Sequence, residues 1–126
     1  MHKILIVDDS SVIRQAIRHS LEYEGFTVFE AGNGADALTL LQVQVDIGLV
    51  ITDISMPKMD GLSMAMKVKA DPKLSHVKVC MLTSESSKSS KEQARKAGIS
   101  AWFTKPFKVD TMIPAVKKIL GIAPMA

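Results

Sequence analysis

Apolar residues along this chain fall into two alternating rhythms. Short continuous runs, Ile4-Leu5-Ile6-Val7, Leu49-Val50-Ile51 and Val79-Cys80-Met81-Leu82, read as strands covered on both faces. Between them apolar positions recur every three or four residues, as on one face of a helix. The pattern predicts strands over Lys3–Val7, Thr27–Ala31, Ile47–Thr52, Val77–Leu82 and Ile99–Thr104. It predicts helices over Ser11–Glu24, Ala35–Val43, Leu62–Ala70, about Lys91–Ala97, and Asp110–Leu120.

Local chemistry agrees with these boundaries. Ser10 or Ser11 suits the N-cap of the first helix, whose apolar stripe reads Val12, Ile13, Ala16, Ile17 and Leu21. Gly25 suits the left-handed residue that ends it, and Gly32-Asn33-Gly34 makes a turn. Asp71-Pro72 stops the third helix, and Gly98 closes the fourth after the serine-rich stretch Ser84–Ser90. Pro114 is tolerable only within a first turn, which places the start of the fifth helix near Asp110. On that helix Met112, Ile113, Val116, Ile119 and Leu120 face inward, and Gly121–Ala126 reads as a short tail. Strand and helix thus alternate five times. That is the signature of an α/β fold, a doubly wound parallel sheet of five strands joined by right-handed crossovers.

Composition narrows the class without adding chemistry. The 126 residues fit one domain, residues 1–126, and 47% hydrophobic with 23% charged is ordinary for a soluble protein. The apolar run after Met-His-Lys is too short for a signal peptide, and no stretch approaches a membrane span, so the expectation is a cytoplasmic protein with no membrane insertion. Cys80 is the only cysteine, inside an apolar run, and reads as a buried structural thiol. His2, His19 and His76 lack metal-ligand spacing. The net charge of +3 is too modest to suggest direct DNA binding.

The chemistry lies where the apolar runs end. Asp8 and Asp9 follow the first run, Asp53 the third, Thr83 the fourth and Lys105 the fifth. In an open α/β sheet the carboxyl ends of parallel strands lie side by side, and ligands bind there. Adjacent carboxylates repel unless a cation lies between them, and a hard divalent ion such as magnesium takes one or two carboxylates plus waters and a phosphate oxygen. Asp53 is then a metal ligand or a nucleophile, since a carboxylate can form an acyl phosphate when the phosphoryl oxygens are neutralised. Taken singly, each residue has an ordinary structural explanation: a cap for Asp8 or Asp9, a turn for Asp53 and Thr83, a solvated lysine for Lys105.

The stretches Val7-Asp8-Asp9-Ser10, Asp53-Ile54-Ser55-Met56-Pro57-Lys58-Met59-Asp60-Gly61, Leu82-Thr83 and Lys105-Pro106-Phe107 resemble the receiver domain of bacterial response regulators. The resemblance covers essentially the whole chain, and is strongest to the stand-alone, chemotaxis-type regulator, with no output domain expected. It implies a flavodoxin-like sheet in the order 2-1-3-4-5, an order taken from the family and not from periodicity. It implies a signalling switch, not an enzyme with a separate substrate, that catalyses its own phosphorylation and dephosphorylation. Asp53 would accept a phosphoryl group from a sensor histidine kinase or phosphotransfer protein. Asp9 and Asp53 would bind Mg2+ directly, Asp8 through water, and the backbone carbonyl of Ser55 would be a further ligand. Thr83 and Lys105 would hold the phosphoryl oxygens, Lys105-Pro106 would be a cis peptide, Gly61 would permit tight entry to the third helix, and Ser55 and Glu85 would tune hydrolysis.

Switching is expected through Thr83 and an aromatic on the fifth strand. Where the family has Tyr or Phe, this chain has Trp102, larger and equally readable as a rim residue packed in one place. The partner face would combine the fourth helix, fifth strand and fifth helix. Lys88, Lys91, Arg95, Lys96, Lys117 and Lys118 there form either a solvated face or a docking surface for an acidic target segment. A flagellar motor component is one candidate target, and a monomer is expected. The eight methionines read mainly as core filling. Three competitors share part of the pattern. A flavodoxin-like nucleotide binder would need Gly, Ser or Thr after the first strand to cradle phosphate. A haloacid-dehalogenase phosphatase would carry Asp-x-Asp and a cap. A pseudo-receiver scaffold would lack some of the five key residues.

Overall fold

The apolar runs form the strands β1 (Lys3–Val7), β2 (Thr27–Ala31), β3 (Ile47–Asp53), β4 (Lys78–Thr83) and β5 (Ala101–Thr104) in a computed structural model. It describes residues 2–44, 46–54, 56–83, 92, 95–104 and 108–122, with backbone only at 83 and 109. All pairings are parallel and the order is β2-β1-β3-β4-β5, as the resemblance implied. Helices α1 (Ser11–Tyr23), α2 (Gly34–Val43), α3 (Gly61–Ala70) and a C-terminal helix (Val109–Ile119) cover the sheet. Where described, Glu92, Arg95 and Lys96 of the predicted fourth helix are helical, and Gly98 follows with φ 76°.

Alternation along each strand builds two cores. Leu5, Val7, Val50, Val79 and Met81 face α2 and α3, packing on Ala37, Leu41, Met64, Ala65 and Val68. Ile4, Ile6, Leu49, Ile51, Cys80 and Leu82 face α1 and the C-terminal helix, packing on Ile17, Leu21, Met112 and Val116. A sheet buried on both faces explains the unbroken apolar runs. Burial also pushes the Cys80 thiol up to about 12, so it packs as a small hydrophobe.

Two expectations need correction. Val12 is 75% exposed and Ala16 is exposed too, so the inward stripe of α1 is narrower than the sequence suggests. Ile13, Ile17 and Leu21, four residues apart, face the sheet, while Val12 and Ala16 are rotated off that line. The second correction concerns Pro114. The C-terminal helix starts at Val109 with Lys108 as N-cap, so Pro114 is its sixth residue and lies beyond the first turn. The missing N–H leaves the Asp110 carbonyl without its helical donor. Both residues are exposed, so water can serve that carbonyl. Restoring the N–H in Pro114→Ala is therefore expected to stabilise the fold by about 1–3 kcal/mol, read from the urea midpoint. An unchanged or lower midpoint would show that the helix is already fully relaxed around the ring.

Candidate functional site

β1, β3 and the turns after them bring the acidic residues together. Asp8 continues the ladder past Val7, its N–H donating to the Ala31 carbonyl at 3.2 Å. Its side chain is buried, and its Oδ1 accepts the Ser10 N–H at 2.9 Å. Ser10 in turn caps α1, its hydroxyl accepting the Ile13 N–H at 3.3 Å. This chain of local bonds makes the sharp exit from strand to helix and leaves Asp9 exposed at the rim.

Asp53 ends β3, one position beyond the register pair of Val7 and Thr52, and is itself opposite Leu82. It is 8% exposed. The Thr52 hydroxyl, fully buried, donates to the Asp53 carbonyl at 2.9 Å. The loop that follows is held tightly. Met59 N–H donates to the Pro57 carbonyl at 2.7 Å across Lys58, whose φ of 66° is a left-handed conformation uncommon for lysine. The Met59 carbonyl receives the Gly34 N–H at 3.2 Å, docking the loop on the start of α2. Asp60 caps α3, accepting the Ser63 N–H at 2.7 Å, and Gly61 N–H closes back on the Ile54 carbonyl at 2.8 Å.

One carboxylate oxygen from each of Asp8, Asp9 and Asp53 lies within 4.8 Å of the others. Two of these acids are buried. Like charges this close, partly out of water, repel by more than an exposed pair would, and a shared cation removes the conflict. Their donors are hard oxygens, the set that magnesium prefers to softer metals. The residues therefore fit a divalent ion.

Of the remaining residues singled out in the sequence, Ser55, Glu85 and Lys105 with its proline lie outside the described residues, and of Thr83 only the backbone is described. β4 and β5 do bring Thr83 opposite Thr104, so both strand ends reach the same edge of the sheet. Trp102 pairs in register with Met81 and packs, half-buried, against the core shared with α2 and α3. Its indole Nε1 is buried without a hydrogen-bond partner among the described residues.

The structure also shows residues that periodicity did not single out. Arg14 of α1 donates from Nε to Glu30 Oε1 at 3.0 Å and from its terminal nitrogen to the Asp8 carbonyl. Arg18 donates to the other Glu30 oxygen at 2.7 Å. The Arg18 bond is the largest influence on the Glu30 carboxyl, and with Arg14 it outweighs partial burial and holds the pKa below the ordinary value. A glutamate inside the run Val28-Phe29-Glu30-Ala31 was the available signal, because a charge in a half-buried strand needs a partner.

A model of the response regulator receiver domain matches residues 4–117. The chain belongs to that family. The receiver is 36% identical over 120 residues to "Chemotaxis protein CheY1" of Helicobacter pylori, covering 94% of this chain and 97% of that one. It is 37% identical over the same length to a "Chemotaxis protein CheY homolog" of Campylobacter jejuni, covering 94% of this chain and 92% of that one. The crystal structure of Vibrio cholerae chemotaxis protein CheY4 superposes with a TM-score of 0.88 at 32% identity, covering 94% of this chain and 98% of that one. This receiver is thus a component of the two-component type, and the nucleotide-binder and haloacid-dehalogenase readings fall away. No helix among the described residues is long and apolar enough to cross a membrane.

Proposed function

We propose that this chain is the phosphoacceptor of a two-component phosphorelay, its receiver domain spanning residues 1–126. The observation that carries the reading is the convergence of Asp8, Asp9 and Asp53 within 4.8 Å. Asp9 and Asp53 would hold Mg2+, with Asp8 acting through water and the Ser55 carbonyl as a further ligand. When bound, the ion neutralises the carboxylates and the incoming phosphoryl oxygens. An Asp53 carboxylate oxygen attacks the phosphorus of a phosphohistidine on a sensor kinase or phosphotransfer protein. The P–N bond breaks, the imidazole leaves, and an acyl phosphate remains on Asp53. Lys105 and Thr83 take the phosphoryl oxygens as point charge and hydroxyl donor. Ser55 and Glu85 border the group and set how readily water removes it.

Phosphorylation replaces the single charge of the Asp53 carboxylate with a phosphoryl group carrying about −1.5 to −2 charges, farther out at this edge and with new acceptor oxygens. Thr83 moves toward them, and Trp102 responds. The buried indole N–H, without a partner among the described residues, supports this part of the reading, because such a group disfavours its present position by about 1–3 kcal/mol. Shifting a two-state element from 1:99 to 99:1 takes roughly 5.5 kcal/mol, within reach of two or three charge-assisted bonds. The readout is partner binding at the face made by the predicted fourth helix, β5 and the C-terminal helix. The names of its relatives favour chemotaxis as the pathway; the target we infer is a flagellar motor component. The same reading makes the protein cytoplasmic and monomeric, and a protein-binding switch with no direct DNA contact.

Metal removal tests the reading. Incubation with acetyl phosphate and Mg2+ is expected to add one group of about 80 Da, with a change in Trp102 fluorescence, and chelation by EDTA to abolish both. An unchanged mass in the presence of Mg2+ would leave the chain a scaffold with a receiver's shape.

A further inference from the structure

The contacts of Arg14 point to a role beyond packing. We propose that Arg14 is a positioning residue for the metal ligands, acting through the backbone of Asp8. The inference rests on the phosphoacceptor reading and assigns one more part of that site.

Asp8 is fixed from the β2 side at both of its backbone groups. Its N–H is taken by the Ala31 carbonyl, and its C=O by Arg14. Arg14 is itself held by Glu30, the neighbour of Ala31 on β2 and the register partner of Ile6. The guanidinium is planar and presents donors in a fixed fork, so bonding Glu30 with Nε sets where the terminal nitrogen lies. That nitrogen grips the carbonyl of the peptide joining Asp8 to Asp9. The orientation of this peptide decides the direction in which the exposed Asp9 side chain leaves the chain. Among the described residues no hydrogen bond holds the Asp9 side chain in the way that the Ser10 N–H holds that of Asp8. Arg14 also runs close beneath Gly32, where an added Cβ would lie 3.8 Å from its terminal nitrogen. Its side chain is 20% exposed and that of Glu30 22%, so this clamp is more sheltered than the other ion pairs with described exposures.

Electrostatics alone makes the opposite forecast. A cation beside three carboxylates competes with a metal ion, so deleting Arg14 would tighten Mg2+ binding if charge were all that mattered. Positioning predicts weaker binding, because ligands that must be re-ordered on binding lose affinity. The sign of the change therefore separates the two accounts.

The experiment is titration calorimetry of the full chain with MgCl2, alongside urea unfolding of each variant. Arg14→Ala is expected to raise the Mg2+ Kd about tenfold, the scale on which outer supports of metal ligands act. Arg14→Lys keeps the charge but not the two-point fork, and is expected to raise it several-fold. Arg18→Ala removes the other arm of the Glu30 clamp without touching Asp8, and should leave the Kd within about twofold while lowering the unfolding midpoint. If Arg14→Ala does not fold, the Arg14→Lys and Arg18→Ala comparison carries the same test. Unchanged or tighter binding in the Arg14 variants overturns the inference, as does a Kd that rises equally in Arg18→Ala. If the wild type binds no Mg2+, the phosphoacceptor reading fails first and takes this inference with it.

Discussion

Asp53→Asn should leave the chain at its unmodified mass under conditions in which the wild type gains about 80 Da. The amide nitrogen and oxygen occupy the space of the carboxylate, so the fold has no steric reason to change. What is lost is the anionic nucleophile, since a neutral amide oxygen does not form a stable bond to phosphorus under these conditions. The same substitution removes one of three carboxylates that lie within 4.8 Å of each other in a partly buried group. Without metal, the variant should therefore be more stable than the wild type, by about 1–3 kcal/mol. Mg2+ should narrow that gap, because the ion stabilises the wild type more than the variant. An adduct of equal yield on Asp53→Asn would move the acceptor to another residue. Equal metal-free stability of the two proteins would show that crowding the three acids does not cost the fold.

The sheet was legible in the sequence because burial on both faces leaves an unmistakable trace. The first two strands have the predicted bounds, and β3 and β4 reach one residue further than predicted, to Asp53 and Thr83. Those extra residues are polar, so hydrophobicity alone stops short of them, and backbone pairing with the neighbouring strand carries the ladder on. Strand order was not contained in periodicity and came from the family resemblance. The acidic site was legible for the same reason as the strands, since chemistry placed just after parallel strands converges whatever the order of the chain. The Arg14–Glu30–Asp8 clamp was not. Its members sit on α1, β2 and the turn after β1, up to 22 residues apart, and no local rule pairs a helix arginine with a strand glutamate. Pro114 misled because a proline is not confined to a first turn where the carbonyl it deprives of a donor, here that of the exposed Asp110, faces water. Val12 and Ala16 misled because an apolar residue on a helix is not obliged to be inside.

Gly61→Ala should unfold or displace the site, although α3 is a helix and alanine a better helix former than glycine. A Cβ at this position would lie 2.1 Å from the Asp53 carbonyl oxygen, 3.1 Å from its carbonyl carbon and 3.2 Å from the Ile54 Cα. All three are backbone atoms of the segment that carries Asp53, so the clash cannot be relieved by turning a side chain. The segment is also pinned on its other side, where the Thr52 hydroxyl bonds the same carbonyl and Gly61 N–H bonds Ile54. Either α3 retreats and opens the core around Met64 and Ala65, or Asp53 shifts away from Asp8 and Asp9. The expected loss is about 3 kcal/mol or more in the urea midpoint, with phosphorylation by acetyl phosphate slowed at least about tenfold in whatever remains folded. Gly25→Ala supplies the contrast. Its φ of 94° strains any side chain, yet nothing lies within 4 Å of the new Cβ, so it should lose only about 1 kcal/mol and label at the wild-type rate. If the two variants prove equally stable and equally active, the close approach of α3 to Asp53 does not constrain the site. If Gly61→Ala alone fails, the backbone contact that seats α3 against β3 is also what holds Asp53 beside Asp8 and Asp9.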